Sequence, residues 1–182
     1  MKDYIVIIIL LFLFLFRSSD IEAQAFQARN VNFDLGYIFG SRAVYANFIS
    51  PGAIISLQKG VYKWISVGAY AGVQQHLLGA PVTSTNNLDY TAVYAGVNGS
   101  FHFYQMISEL LGKDIKADKL DIAIKHSFGV RLTFPSAGSV SQTFSFGISG
   151  NVRYFFTDYF GVYLEAGYPV AGLALAGIAL KF

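Results

Sequence analysis

His126 and Ser127 stand side by side in the chain. A histidine within reach of a serine hydroxyl is the minimal apparatus of nucleophilic catalysis. The pair lies in an alternating run, LDIAIKHSFGVRLTF, from Leu120 to Phe134. Neighbours along an extended strand point to opposite faces, so these two side chains cannot exchange a proton, and no catalytic role is assigned to them. His102 is expected as a hydrogen-bonded structural histidine at the end of a strand. The 3 histidines are scattered with no carboxylate at ligand spacing, so no metal and no other cofactor is expected. Asn98-Gly99-Ser100 fits a glycosylation pattern but falls inside a predicted strand. There is no phosphate-binding loop and no nucleophile elbow. What remains is a set of opposite charges: Asp34, Asp121 and Glu165 against Lys125, Arg131, Arg153 and Lys181. Their chemistry is ion pairing, which can plug a lumen and fix strand register, or gate a narrow ion path.

The elements that must position these charges read with period two. In the run from Leu120, the residues Leu120, Ile122, Ile124, Phe128, Val130, Leu132 and Phe134 share one face, and Asp121, Lys125, Ser127 and Arg131 share the other. Val31, Phe33, Leu35, Tyr37 and Phe39 oppose Asn32 and Asp34 in the same way. Similar runs occupy Ile65 to Gln74, Val93 to Phe103, Phe144 to Tyr154 and Phe160 to Gly167. A weaker run lies near Ala53 to Gln58, and the last is Gly172 to Phe182. The expectation is eight strands, longer than the usual average of about five to six residues and long enough to cross a bilayer when tilted.

Composition decides which face points outward. Charged residues are only 13% of the chain and aromatics 16%. A water-soluble barrel carries its charge outside. Here the polar faces are mostly Gly, Ser, Asn and Tyr, with a few charges of both signs. Small residues and paired charges suit the crowded lumen of an eight-stranded barrel. The predicted fold is therefore all-β, an eight-stranded antiparallel up-and-down transmembrane barrel with a polar lumen. Aromatics gather at the strand ends, as in the girdles of membrane barrels. Tyr62, Trp64, Phe101, Phe103, Tyr104, Tyr154, Phe155, Phe156, Tyr159, Phe160 and Phe182 are expected at the inner end, and Tyr37, Phe39, Tyr90, Phe134, Phe144 and Tyr168 at the outer end. Each of the 4 prolines, Pro51, Pro81, Pro135 and Pro169, falls in or beside a different outer loop.

The chain closes with GLALAGIALKF. Ala174, Ala176, Ile178, Leu180 and Phe182 alternate on one face and end in an aromatic. This resembles the C-terminal strand of small eight-stranded outer-membrane β-barrel proteins of Gram-negative bacteria. The resemblance implies that these five residues form the signal read by the barrel-assembly machinery and that outer-membrane lipid surrounds the protein; it implies no particular activity.

Outer loops are expected near residues 41–50, 75–89, 135–142 and 169–171, and short inner turns near 59–63 and 156–158. The connection 104–119 is longer. Within it Met106, Ile107, Leu110 and Leu111 make one face of a short helix, Gly112 can cap it, and Glu109 can pair with Lys113. This segment either rests on the barrel base or the inner-leaflet interface, or docks a periplasmic partner. At the start of the chain, the twelve apolar residues Ile5 to Phe16 follow Lys2 and precede Ala23-Gln24-Ala25. They read as a signal peptide over 1–25, too short to span a bilayer, leaving a barrel domain over 26–182. With no Cys, disulfides and thiol chemistry are excluded, and a net charge of +2 gives no case for nucleic acid. The functional expectation is an integral outer-membrane barrel with a structural or surface-interaction role. The alternatives are a narrow channel or carrier for small molecules, a lipid-directed barrel enzyme, and a soluble ligand-binding barrel.

Overall fold

The computed structural model describes residues 30–40, 51–76, 90–112, 119–136, 138–168 and 171–182. The expected signal peptide, its expected cleavage point and most of the expected outer loops lie outside these residues. Eight strands follow one another: β1 (Val31–Phe39), β2 (Gly52–Tyr62), β3 (Ile65–His76), β4 (Tyr90–Phe101), β5 (Leu120–Pro135), β6 (Ser141–Phe155), β7 (Phe160–Tyr168) and β8 (Ala174–Lys181). One helix, α1 (Phe103–Leu111), joins β4 to β5. Each strand pairs antiparallel with its sequence neighbour, and β1 pairs with β8, closing the barrel. At the seam Val31 and Phe182 exchange both backbone hydrogen bonds at 2.9 Å. Closure leaves no sheet edge, the condition for placing a sheet in lipid, which cannot satisfy a bare N–H or C=O.

Register sets the shape. From Asp34 it runs through Ser56, Tyr70, Gly96 and Gly129 to Ser145 on β6. In the other direction it runs through Ala179 and Gly161 to Phe155, ten residues further along the same strand. That stagger is the shear of the barrel, and it tilts the strands steeply. Tilt brings residues that are far apart in the ladder to one level inside.

Alternation became an inverted protein. Phe146, Ile148 and Leu164 are exposed at 46%, 43% and 52%, whereas Arg153 and Glu165 are exposed at 0% and 1%. Val67, Val97, Ile124 and Phe128 also lie outside. Each large apolar side chain left in water forfeits about 1.5–3 kcal/mol relative to burial. An exterior made of dozens of them is stable only against hydrocarbon.

Several expected boundaries shift. β2 runs to Tyr62, well beyond the weak 53–58 run, because Lys59, Val61 and Tyr62 continue its outward face. β3 reaches His76 and β6 begins at Ser141, so both strands invade the expected loops, while β8 starts only at Ala174. Two aromatics expected in the girdles are turned inward instead. Phe155 is 1% exposed inside the barrel, and its neighbour Phe156 takes the outward position. Tyr90 packs against the interior cluster at the outer end and stacks on His76 with ring centroids 4.3 Å apart.

Candidate functional site

The end of the barrel that holds Val31, Phe182 and α1 is the end expected to be the inner one. There the lumen is closed by a guanidinium. β6 alternates outward Val152 and Tyr154 with inward Asn151, Arg153 and Phe155. Arg153 crosses the lumen to β1. Its Nε donates to Asp34 Oδ1 at 3.1 Å and its Nη2 to Asp34 Oδ2 at 2.8 Å, the two-pronged fit of guanidinium to carboxylate. Nη1 donates to Asp121 Oδ2 on β5 at 3.0 Å, and Nη2 also reaches Gln58 Oε1 on β2 at 2.8 Å. One side chain thus ties four strands across the lumen.

The network continues sideways. Asp121 Oδ1 accepts from His102 Nδ1 at 2.8 Å, and His102 Nε2 meets Ser66 Oγ at 2.9 Å. A carboxylate can only accept, which places a proton on Nδ1 and orients the ring. Gln58 Nε2 donates to Asn98 Oδ1 and Ser100 Oγ, both at 3.1 Å, and Asn98 Nδ2 donates to Ser56 Oγ at 2.9 Å. A second pair lies alongside. Lys125 Nζ donates to Glu165 Oε2 at 2.9 Å and Ser149 Oγ to Glu165 Oε1 at 2.7 Å. Charges taken out of water need such partners, because a lone one costs several kcal/mol.

Glycines let large side chains fold across this narrow space. A Cβ on Gly36 would collide with the Tyr163 hydroxyl. A Cβ on Gly96 or Gly129 would strike the Tyr70 hydroxyl. The tyrosines therefore lie over bare backbone on the opposing strands.

The outer half of the lumen differs. The expected polar interior gives way there to Ile38, Ile54 and Leu175, all buried, packed with Tyr70 and Tyr94. The apolar residues at these inward positions were missed because each has an apolar neighbour, such as Ile55 beside Ile54, that hides the alternation. Above this layer, Tyr94 Oη donates to Gln74 Oε1 at 3.2 Å, and Gln74 Nε2 donates to the Gly40 carbonyl at 2.7 Å. Arg131 lies over the rings of Tyr90 and Tyr94, 5.5 and 5.8 Å from their centroids.

All seven charges of the predicted cluster face inward, but they do not form one cluster. Arg153 takes Asp34 and Asp121, and Lys125 takes Glu165. Among the described residues Arg131 makes no ion pair and lies instead between two tyrosines, while Lys181 Nζ sits 4.9 Å over the Phe155 ring. Sequence reasoning missed Gln58, Ser66 and Asn98 as members of the network. Only their place on inward positions could have signalled them. His126 is exposed on the outer wall and Ser127 is buried inside. Among the described residues no group of three His, Cys, Asp or Glu could hold a metal. On β8, Ala174, Ala176, Ile178 and Leu180 alternate with buried Leu175, Ala179 and Lys181, and Phe182 is exposed at the rim.

An apolar exterior, a closed sheet and an interior of paired charges together define a transmembrane β-barrel whose lumen is plugged by its own side chains. No family model matches the chain, and no curated protein matches it. Among solved structures eight chains match. One is the crystal structure of Ail, the attachment invasion locus protein of Yersinia pestis, 10% identical, with a TM-score of 0.45, covering 86% of this chain and 100% of that one.

Proposed function

We propose that this chain is an integral outer-membrane protein whose barrel is a sealed scaffold, with a structural or surface-interaction role and no catalysis. The observation that carries the reading is Arg153, fully buried and bonded to Asp34, Asp121 and Gln58 across the lumen. A barrel built to transport would leave this path open. The C-terminal residues Ala174, Ala176, Ile178, Leu180 and Phe182 support delivery by the barrel-assembly machinery, since they form one outward-facing row ending in an aromatic. The separation of His126 from Ser127 across the wall argues against a lipid-directed enzyme.

Membrane fractionation, followed by gel mobility with and without heating, tests location and closure together. The protein is expected in the outer-membrane fraction, with a folded form that shifts on boiling. Recovery in the aqueous periplasmic fraction would contradict the proposal. Purified protein in planar bilayers is expected to conduct no steady current.

One observation favours a second reading, a narrow path for water or small ions. Asn32 and Asn151 are fully buried, and neither amide oxygen nor amide nitrogen of either has a protein partner. Buried amides of this kind are usually satisfied by water. Asn151 and Asn32 sit on either side of the Arg153 layer, next to Ser149 and Lys181 respectively. Water there would leave the ionic layer as the main barrier. A steady conductance abolished by altering the luminal charges would establish this reading in place of the first.

A further inference from the structure

The helix α1 repeats the inversion of the barrel. Phe103, Met106, Ile107, Leu110 and Leu111 follow the i, i+3, i+4, i+7, i+8 spacing of one apolar stripe. On an ordinary surface helix that stripe packs inward. Here the polar side does. Gln105 is the buried residue of the helix. Glu109 Oε2 accepts from Trp64 Nε1 at 3.2 Å and lies 3.9 Å from Lys63 Nζ. The expected Glu109 partner, Lys113, is outside the described residues, and the β2–β3 turn holds Glu109 instead. Gly112 ends the helix in the left-handed conformation, φ 58°, its N–H bonded to the Glu109 carbonyl. The outer part of the stripe is left uncovered, with Ile107, Leu110 and Leu111 exposed at 38%, 72% and 59%, while Phe103 and Met106 are half-buried. The helix thus meets the barrel base through Gln105 and Glu109, while the outer part of its stripe faces away from it.

Two features say what covers it. The first is continuity with the lipid-facing wall. The helix leaves β4 directly after outward Phe101, and it is tied to the turn beside outward Tyr62 and Ile65. The second is charge. At the same end of the barrel the exposed residues Lys59, Lys63 and Lys119 stand on β2, on the β2–β3 turn and just before β5. Glu109, the acid on the described helix, is already engaged by Trp64 and Lys63. The exposed Asp158 lies on the β6–β7 turn, beside Lys119, whose carbonyl accepts from Phe155 N–H at 2.8 Å, and away from Lys59 and Lys63 on the β2–β3 side.

We infer that α1 is an interfacial helix, with its apolar stripe bedded in the adjacent lipid leaflet and Lys59, Lys63 and Lys119 on anionic phospholipid headgroups. The inference rests on the membrane-barrel reading. Its partner is a lipid surface; a soluble periplasmic protein is the competing occupant. Apolar area and basic residues are the two terms that hold such helices at an interface, and each lysine near an anionic surface adds to the attraction.

The chain has no native cysteine, so single labels report cleanly. Leu110→Cys and Phe128→Cys proteins, each carrying a nitroxide, are reconstituted in phosphatidylethanolamine vesicles containing phosphatidylglycerol. Folding is verified by heat-modifiable mobility. Collision with oxygen is compared with collision with a water-soluble nickel chelate. Oxygen is expected to dominate at both positions. At position 110 its advantage should fall when phosphatidylglycerol is omitted, or when the three lysines are changed to glutamine. A label at 110 in water while that at 128 is in lipid would overturn the inference and leave the barrel reading intact. A label at 128 in water would instead sink the barrel reading. A label at 110 indifferent to phosphatidylglycerol and to the lysines would also contradict the proposal.

Discussion

The two halves of the lumen solve one problem with different materials. The inner half is filled by charge: Arg153 bridges Asp34 and Asp121, with Gln58, His102 and Asn98 bonded around them. The outer half is filled by Ile38, Ile54, Leu175 and two tyrosines, a small apolar core inside a polar tube. The charged half gains direction, since a guanidinium fork fits its carboxylate in one register only. The apolar half gains volume filling without partners to satisfy. Loss of one partner should therefore be severe in the inner half and graded in the outer half.

The largest effect is expected from Arg153→Met. It leaves Asp34 and Asp121 buried without their cation, and removal of one partner from such a network costs about 3–5 kcal/mol. Urea unfolding from vesicles should show the loss as a lower midpoint. The same measurement on the Lys125–Glu165 pair sharpens the comparison. Lys125→Met alone should destabilise strongly, whereas Lys125→Met with Glu165→Leu should recover most of the loss, because apolar replacement of a whole buried pair is often neutral. Non-recovery would mean that the pair does more than occupy space.

Gly36→Ala comes next. The added methyl meets the Tyr163 hydroxyl, and overpacking of this kind costs about 1–3 kcal/mol. The second change Tyr163→Phe should relieve part of that cost. In the apolar half, Ile54→Val removes one methylene and is expected to cost about 0.5–1.5 kcal/mol. An Ile54→Val loss as large as that of Arg153→Met would erase the distinction between the halves.

Much of this was legible in the residue order. Period two gave the strands, and polar faces made mostly of Gly, Ser, Asn and Tyr with few charges gave the inversion. The inward side of Asp34, Asp121 and Arg153 followed from the same alternation. Their partnership did not. Arg153 and Asp34 are 119 residues apart, and only the ten-residue stagger of the closed sheet sets them level. Where two residues of like character adjoin, as in Ile54-Ile55 and Phe155-Phe156, alternation loses its phase. Phe155 was misplaced for that reason, and Ile54 went unnoticed. The helix was readable as amphipathic from Met106 to Leu111, but its start at Phe103 was read as strand, and the side its apolar stripe presents depends on whether water or lipid lies beyond it.

Everything in this account turns on the outer wall of β5 being wetted by lipid. In a Trp64→Phe background, tryptophan is placed singly at Ile124, His126 and Phe128, and quenching by brominated phospholipids is compared with quenching by aqueous iodide. The account predicts strong quenching by the brominated lipids at all three positions and little by iodide. Quenching by iodide, with no effect of the brominated lipids, would show a water-facing wall and contradict it.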